Sequence, residues 1–127
     1  MEKITDKNVL IAIRIKIFKN GIMPLTDLRE PLQVLVHKRK MGEYTKAHIH
    51  TPKKRVNQKL QECLVVIKGK IKIDLYAPDK KFIKSIFLSA GQAVIFMNGG
   101  HGIHIVKDAE IIEVKNGPFV QDKVLIE

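Results

Sequence analysis

Apolar and polar residues alternate along much of the chain. Between Ile11 and Ile17 every second residue is isoleucine, while Arg14 and Lys16 occupy alternate positions. The segment Lys70–Tyr76 alternates in the same way. Because successive side chains of a strand point to opposite faces of a sheet, both segments predict strands with one buried and one solvated face.

Further short runs rich in Val and Ile are separated by Gly, Pro and Asn. They predict strands over Val34–Val36, Cys63–Ile67, Ile83–Leu88, Ala93–Phe96, Ile103–Val106 and Ile111–Val114. We expect a tight hairpin at Lys68-Gly69-Lys70, a turn at Ala77–Lys80 and at most one helical turn, over Leu25–Arg29. Roughly nine short strands favour an all-β sandwich or barrel, in which closure hides the sheet edges.

The length and composition suit one globular domain, which we place over residues 1–127. The longest apolar runs have five residues, whereas a membrane span needs about 20. The N-terminus lacks the basic-then-apolar layout of a secretory leader. Cys63 is the single cysteine and cannot close an internal disulfide. A reduced, cytoplasmic location is therefore expected, with no membrane partner.

The charge is strongly basic, with 23 Lys and Arg against 13 Asp and Glu, a net +10. The basic residues are dense only at Lys38–Lys40 and Lys53–Arg55, and no aromatic residues are interleaved with them. This arrangement argues against a nucleic-acid platform. It favours solvated faces, with attraction of an anionic small molecule as the alternative.

Four of the five histidines form two groups, and a glutamate lies between these groups in the sequence. On a strand, the spacing of His48 and His50 places both imidazoles on one face. Glu62 follows in the next predicted strand, and His101 or His104 in a distant one. Imidazole and carboxylate ligands suit one Fe, Mn, Ni, Zn or Cu ion, and an open position would make it a Lewis acid. The alternative is a set of polar barrel-lining residues without metal.

Strand parity discriminates between the last two histidines. If His101 faces the core, Ile103 and Ile105 face it as well, whereas His104 would bring a glycine. The first arrangement fills a core better, so His101 is the preferred ligand and His104 the alternative.

These residues belong to a longer pattern that resembles the two motifs of the cupin superfamily and covers about half the chain. The matching segments are Gly42-x5-His48-x-His50, Glu62-x6-Gly69 and Gly91-x5-Met97-x-Gly99-x-His101. The resemblance implies a double-stranded β-helix, or jelly-roll barrel, with one divalent metal. It implies that the ligands are His48, His50, Glu62 and His101.

Two features depart from the cupin pattern. Eleven residues separate His50 from Glu62, more than is usual in cupins. In the second motif Met97 stands where proline is common, and His101 comes one residue early.

A narrower resemblance lies near the C-terminus. The segment Glu113–Phe119, followed by Asp122-Lys123, is similar to the tail of cupins that accompany bacterial surface-polysaccharide (O-antigen) gene clusters. The resemblance implies a homodimer and an enzyme acting on a sugar or nucleotide sugar, of isomerase or epimerase type. The alternatives are a non-catalytic sugar-binding module and a metal-dependent dioxygenase.

Three further residues are candidates for the site. Tyr44 and Lys46 share the parity of His48 and His50, so Tyr44 could act as a proton donor and Lys46 could bind substrate. Arg55 could clamp an anionic group. The alternative is that all three are surface residues of loops.

Overall fold

The computed structural model describes residues 1–126, which form eight β-strands and no helix. The strands are β1 (Glu2–Asp6), β2 (Val9–Ile15), β3 (Gly21–Pro24), β4 (Leu35–Lys38), β5 (Glu62–Tyr76), β6 (Phe82–Ser89), β7 (Ala93–Phe96) and β8 (Gly100–Lys115). The all-β class predicted from the sequence is confirmed. Within residues 1–126 the structure has no helix that is long and apolar enough to cross a membrane.

All strand pairs are antiparallel. The larger sheet has the order β1-β2-β7-β5-β6, and β8 pairs with the other edge of β5. Strands β3 and β4 form a separate two-stranded sheet. The first part of β5 therefore lies between β7 and β8, and the second part between β6 and β8.

The long β5–β8 ladder bends in its middle, and this bend gives the sheet its half-barrel shape. The register shifts three times between Val66 and Ile71. Gly69 lies at this point with a φ of 85°, a backbone conformation that glycine adopts without steric cost. Bulges increase the local bend and twist of a strand. The core-facing side chains of the two halves, such as Leu64 and Ile73, consequently pack in one cluster.

Two apolar clusters hold the sheet together. The inner cluster lies on the concave side of the bent sheet. It includes Ile11, Leu64, Ile71, Ile73, Leu75 and Leu88. The second lies on the opposite face of β5 and β7, where Leu25 and Val36 pack over Cys63 and Ile95. Burial raises the pKa of the Cys63 thiol, so this residue is an unreactive core group.

Several local predictions hold and others are wrong. The turn at Ala77–Lys80 is confirmed by a hydrogen bond from the Lys80 amide to the Ala77 carbonyl, 2.8 Å long. The hairpin at Lys68-Gly69-Lys70 is wrong, because β5 continues through it. The predicted strands at Ile103–Val106 and Ile111–Val114 are parts of the single strand β8. Residues 25–29 form a turn rather than a helix.

Candidate functional site

Glu62 and His101 come together although they belong to opposite ends of the β5–β8 ladder. Glu62 lies opposite Lys115 at one end, and His101 lies opposite Leu75 near the other. Thirteen residues of straight strand would span about 43 Å. The bend instead brings Glu62 Oε2 to 3.2 Å from His101 Nε2. The fold of the ladder therefore creates this pair.

The His101 ring is fixed on two sides. It stacks on Phe96, with ring centroids 3.7 Å apart and planes 5° from parallel. Phe96 is the partner of Glu62 in the β5–β7 register, so both neighbours of the imidazole lie at one point of the sheet. The side chains of His101 and Glu62 are 25% and 15% exposed. The imidazole is thus held in place while part of it remains accessible.

Cationic neighbours keep the Glu62 carboxylate ionised. The hydrogen bond from His101 is the largest cause of its lowered pKa, and the charges of Lys115, of Lys123 and of His101 when it is protonated act in the same direction against desolvation. Lys115 Nζ lies 4.0 Å from Glu62 Oε1. When Nε2 of a neutral His101 donates to this carboxylate, the Nδ1 lone pair is left as a base. The pair is therefore suited to accept a proton.

Glu62 and His101 line a cavity of about 460 Å³, a size that suits a small-molecule ligand. Its walls come from both halves of β8, from Tyr76 and from the tail residues 122–126. Three carboxylates and two ammonium groups line it: Glu62, Glu113, Asp122, Lys115 and Lys123. This nearly balanced lining suits a neutral molecule rich in hydroxyl groups better than a polyanion.

His48 and His50 form a second pair, apart from the first. Their ring centroids are 5.0 Å apart, and His48 Nδ1 lies 2.8 Å from the Lys46 carbonyl oxygen. Both lie in residues 39–61, a stretch without strand structure whose side chains are mostly exposed. The strand that would place His48 and His50 on one face is not formed there. Within residues 1–126 no three His, Cys, Asp or Glu side chains form a group that could hold a metal, so the four predicted ligands are not brought together.

The other candidate residues also lie away from the cavity. Tyr44 is 73% exposed, and its hydroxyl accepts a hydrogen bond from the Ala47 amide. Lys46 is exposed as well, and Arg55 donates to the Lys53 carbonyl. In the part of the chain that the structure describes, none of these three residues lines the cavity.

His104, the alternative ligand, lies on the face of the sheet opposite His101. It pairs with Lys72 in the strand register, and its Nε2 lies 2.6 Å from Asp74 Oδ2. Ser85 donates a hydrogen bond to the same carboxylate. These bonds lower the pKa of Asp74, the one from Ser85 more than the one from His104. His104 therefore fixes β8 to β5 rather than lining the cavity.

Sequence reasoning did not identify Lys115, Lys123 or the stacking residue Phe96 as parts of the site. Glu113 and Lys115 are close to each other, with 3.5 Å between Oε2 and Nζ, and both line the cavity. The sequence offered one signal for this part of the chain, the expected but untested resemblance of the tail to polysaccharide-cluster cupins. It marked the segment without indicating which side chains reach Glu62.

Comparison with protein-family models, with curated proteins and with solved structures finds no match for this chain. The function is accordingly argued from the site.

Proposed function

We propose that this chain is a cupin-type jelly-roll enzyme that moves a proton on a sugar, as an isomerase or epimerase does. The observation that carries the proposal is the ionised Glu62 paired with His101 on the wall of a cavity. A positioned imidazole is the commonest general base in enzymes. The resemblance of the tail to surface-polysaccharide cupins suggests the setting, in the cytoplasm.

The proposed step requires no oxidant. His101 takes a proton from the carbon next to a sugar carbonyl, and the C–H electron pair forms an enolate. Lys115, which lines the cavity, stabilises the developing oxyanion. The Glu62 carboxylate stabilises the imidazolium. Protonation of the other face by water gives an epimer, and His101 is then left to release its proton to solvent. Return of the proton from His101 to the neighbouring carbon, after transfer of the hydroxyl proton, gives a keto isomer.

The cavity wall indicates which part of the substrate is bound. Carboxylates and ammonium groups together can hydrogen-bond several hydroxyl groups. A nucleotide sugar would therefore place its neutral sugar ring at Glu62 and His101. The net charge of +10 would attract the phosphates to the surrounding surface.

The experiment is a solvent-exchange assay in deuterated water. The protein is incubated with a panel of nucleotide-linked keto sugars, and deuterium incorporation is followed by NMR and mass spectrometry. Deuterium at carbon together with a new isomer supports the proposal. Tight binding with an unchanged sugar contradicts turnover and supports the non-catalytic binding module. Neither binding nor exchange contradicts both.

A second candidate function, a divalent-metal centre, is favoured by one distance. Two ligands about 2.1 Å from one ion and at right angles lie about 3.0 Å apart, close to the 3.2 Å between Glu62 Oε2 and His101 Nε2. Two donors do not complete a site, and His48 and His50 would have to join them. Bound Fe, Mn, Ni, Zn or Cu would supply a Lewis acid, and iron would also permit dioxygenation.

Elemental analysis by plasma mass spectrometry tests the metal centre. If this candidate is right, untagged wild-type protein should carry nearly one equivalent of metal, and Glu62→Ala and His48→Ala should lose it. The matched control is His104→Ala, which should retain the metal because His104 faces away from the pair. Wild-type protein without metal, even after reloading, would contradict this candidate, and bound iron without oxygen uptake would contradict dioxygenation.

We also propose a homodimer. Strand β8 pairs on one side only within residues 1–126, and it exposes apolar side chains: Ile103, Ile105, Val106, Ile112 and Val114. A long unpaired edge of this kind is prone to pair with another chain, and two-fold dimers are the commonest assembly. Light scattering should give twice the chain mass of 14.5 kDa, and a single-chain mass would refute the dimer.

A further inference from the structure

The chain beyond β8 returns to the site that β8 helps to form. Residues Asp122–Ile126, here called the strap, all line the 460 Å³ cavity together with Glu62 and His101. They form one wall of the cavity and contribute Lys123, whose charge acts on Glu62. The strap thus decides how open one side of the cavity is.

The tail is anchored well before the strap, at Asn116. The Asn116 side chain accepts a hydrogen bond of 2.8 Å from the Gln61 amide and donates one of 3.0 Å to the Lys59 carbonyl. Gln61 is buried and immediately precedes Glu62. The anchor therefore fixes the direction in which the tail leaves the sheet.

The far end of the strap is seated against a glycine. A Cβ atom added to Gly100 would lie 2.5 Å from Ile126 Cδ1, closer than real Cβ contacts. The Ile126 side chain therefore occupies space that exists because residue 100 has no side chain. The equivalent position at Gly102, two residues along the same strand, meets nothing within 4 Å.

Between anchor and seat the strap is weakly held. No hydrogen bond described within residues 1–126 involves Asp122–Ile126, and Val124 and Leu125 are 73% and 74% exposed. Segments with few buried contacts open at low free-energy cost. The contact of Ile126 with Gly100 is the close contact described at the far end of the strap, and it can yield because Ile126 Cδ1 is the end of a flexible side chain.

We propose that the strap is a detachable wall, seated by Ile126 on Gly100, and that its closed position limits which molecules reach His101. The assignment deepens the proposed function and rests on it for the identity of the substrate. The closure itself depends only on the geometry of the strap. Gly100 and Ile126 are thus specificity-determining residues rather than catalytic ones.

The test measures access to His101 with diethyl pyrocarbonate, a small reagent that acylates imidazole nitrogens. Modification rates of individual histidines are mapped by tandem mass spectrometry in wild type, in a deletion of residues 122–127 and in Gly100→Ala. We expect the deletion to raise the His101 rate several-fold and Gly100→Ala to raise it less, because the flexible end of Ile126 can shift to admit the new methyl group. Gly102→Ala is the matched control and should leave the rate at the wild-type value.

Two internal references separate opening from unfolding. His37 and His104 lie outside the cavity, and their rates should not change in any variant. A deletion variant with the wild-type His101 rate would overturn the proposal. So would a rise shared by all histidines, because it would report loss of the fold. The modification rates do not depend on turnover, whereas only the exchange assay reports the proposed reaction. Failure of the strap proposal is therefore distinguishable from failure of the proposed function.

Discussion

Gly69→Ala is expected to lower the free energy of unfolding by about 4 kcal/mol or more, among the largest effects of a single substitution. A φ of 85° costs a residue with a side chain about 1–2 kcal/mol. In addition, the new Cβ would lie 2.1 Å from the Asp108 carbonyl oxygen. This oxygen belongs to the backbone of β8 and cannot move aside without opening the bend of the ladder.

Gly91→Ala is the matched control for this prediction. Gly91 has nearly the same φ, 84°, but a Cβ there meets nothing within 4 Å. It should therefore lose only the conformational contribution, about 1–2 kcal/mol. Urea unfolding of the two variants beside wild type gives both values. Equal losses would show that the close approach of Gly69 to β8 is unimportant.

The same variant connects the bend to the site. Glu62 and His101 meet only because the two halves of the ladder fold together, and His101 then stacks on Phe96. In the folded fraction of Gly69→Ala, we expect the ring-current shift that Phe96 causes on the His101 protons to be smaller than in wild type. The stability of the bend and the geometry of the site are thus one property of β5 and β8.

The strands were largely predictable because their side chains alternate, whereas the bend was not. A glycine between two strand patterns, as in Lys68-Gly69-Lys70, indicates a hairpin or a bulge with equal force. The choice depends on whether a strand distant in sequence pairs with both halves, and β8 does so. Local sequence carries no information on that pairing.

Strand β1 was missed for a different reason. Within Glu2–Asp6 only Ile4 is both apolar and buried, so no alternation was visible. The turn that follows joins β1 to β2, and its residues Lys7 and Asn8 have φ values of 48° and 65° although neither is glycine. Two such residues in succession are typical of a hairpin turn whose twist matches that of the strands.

The candidate site was predictable only in part. Parity correctly placed His101 on the same face of the sheet as Ile103 and Ile105, with His104 on the other face. The expectation that these isoleucines fill the core is wrong, because both are exposed. Lys123 and the cavity wall depend on the path of the tail, which has no periodic pattern. For His48 and His50, alternation predicts a common face only if the segment pairs with another strand, and residues 39–61 form none in the structure.

The second large effect concerns His101. His101→Gln should lower the rate of deuterium exchange by about 100-fold or more, the range that a general base contributes. Glutamine can still donate a hydrogen bond to Glu62, so the site keeps its shape but loses its base. The matched control is His104→Gln, on the opposite face of the sheet, and it should exchange at the wild-type rate. Deuterium exchange by His101→Gln at the wild-type rate would show that His101 is not the general base.

Rescue by added imidazole separates proton transfer from metal binding. His101→Ala leaves an opening beside the flat Phe96 ring, where free imidazole can stack and accept the proton. We expect added imidazole to restore part of the exchange in His101→Ala and to have no effect on His101→Gln, whose side chain fills the opening. Glu62→Gln should remain slow with imidazole present, because the charge that stabilises the imidazolium is gone. Rescue that requires an added divalent metal as well would instead favour the metal centre, since the imidazole would then be acting as its ligand.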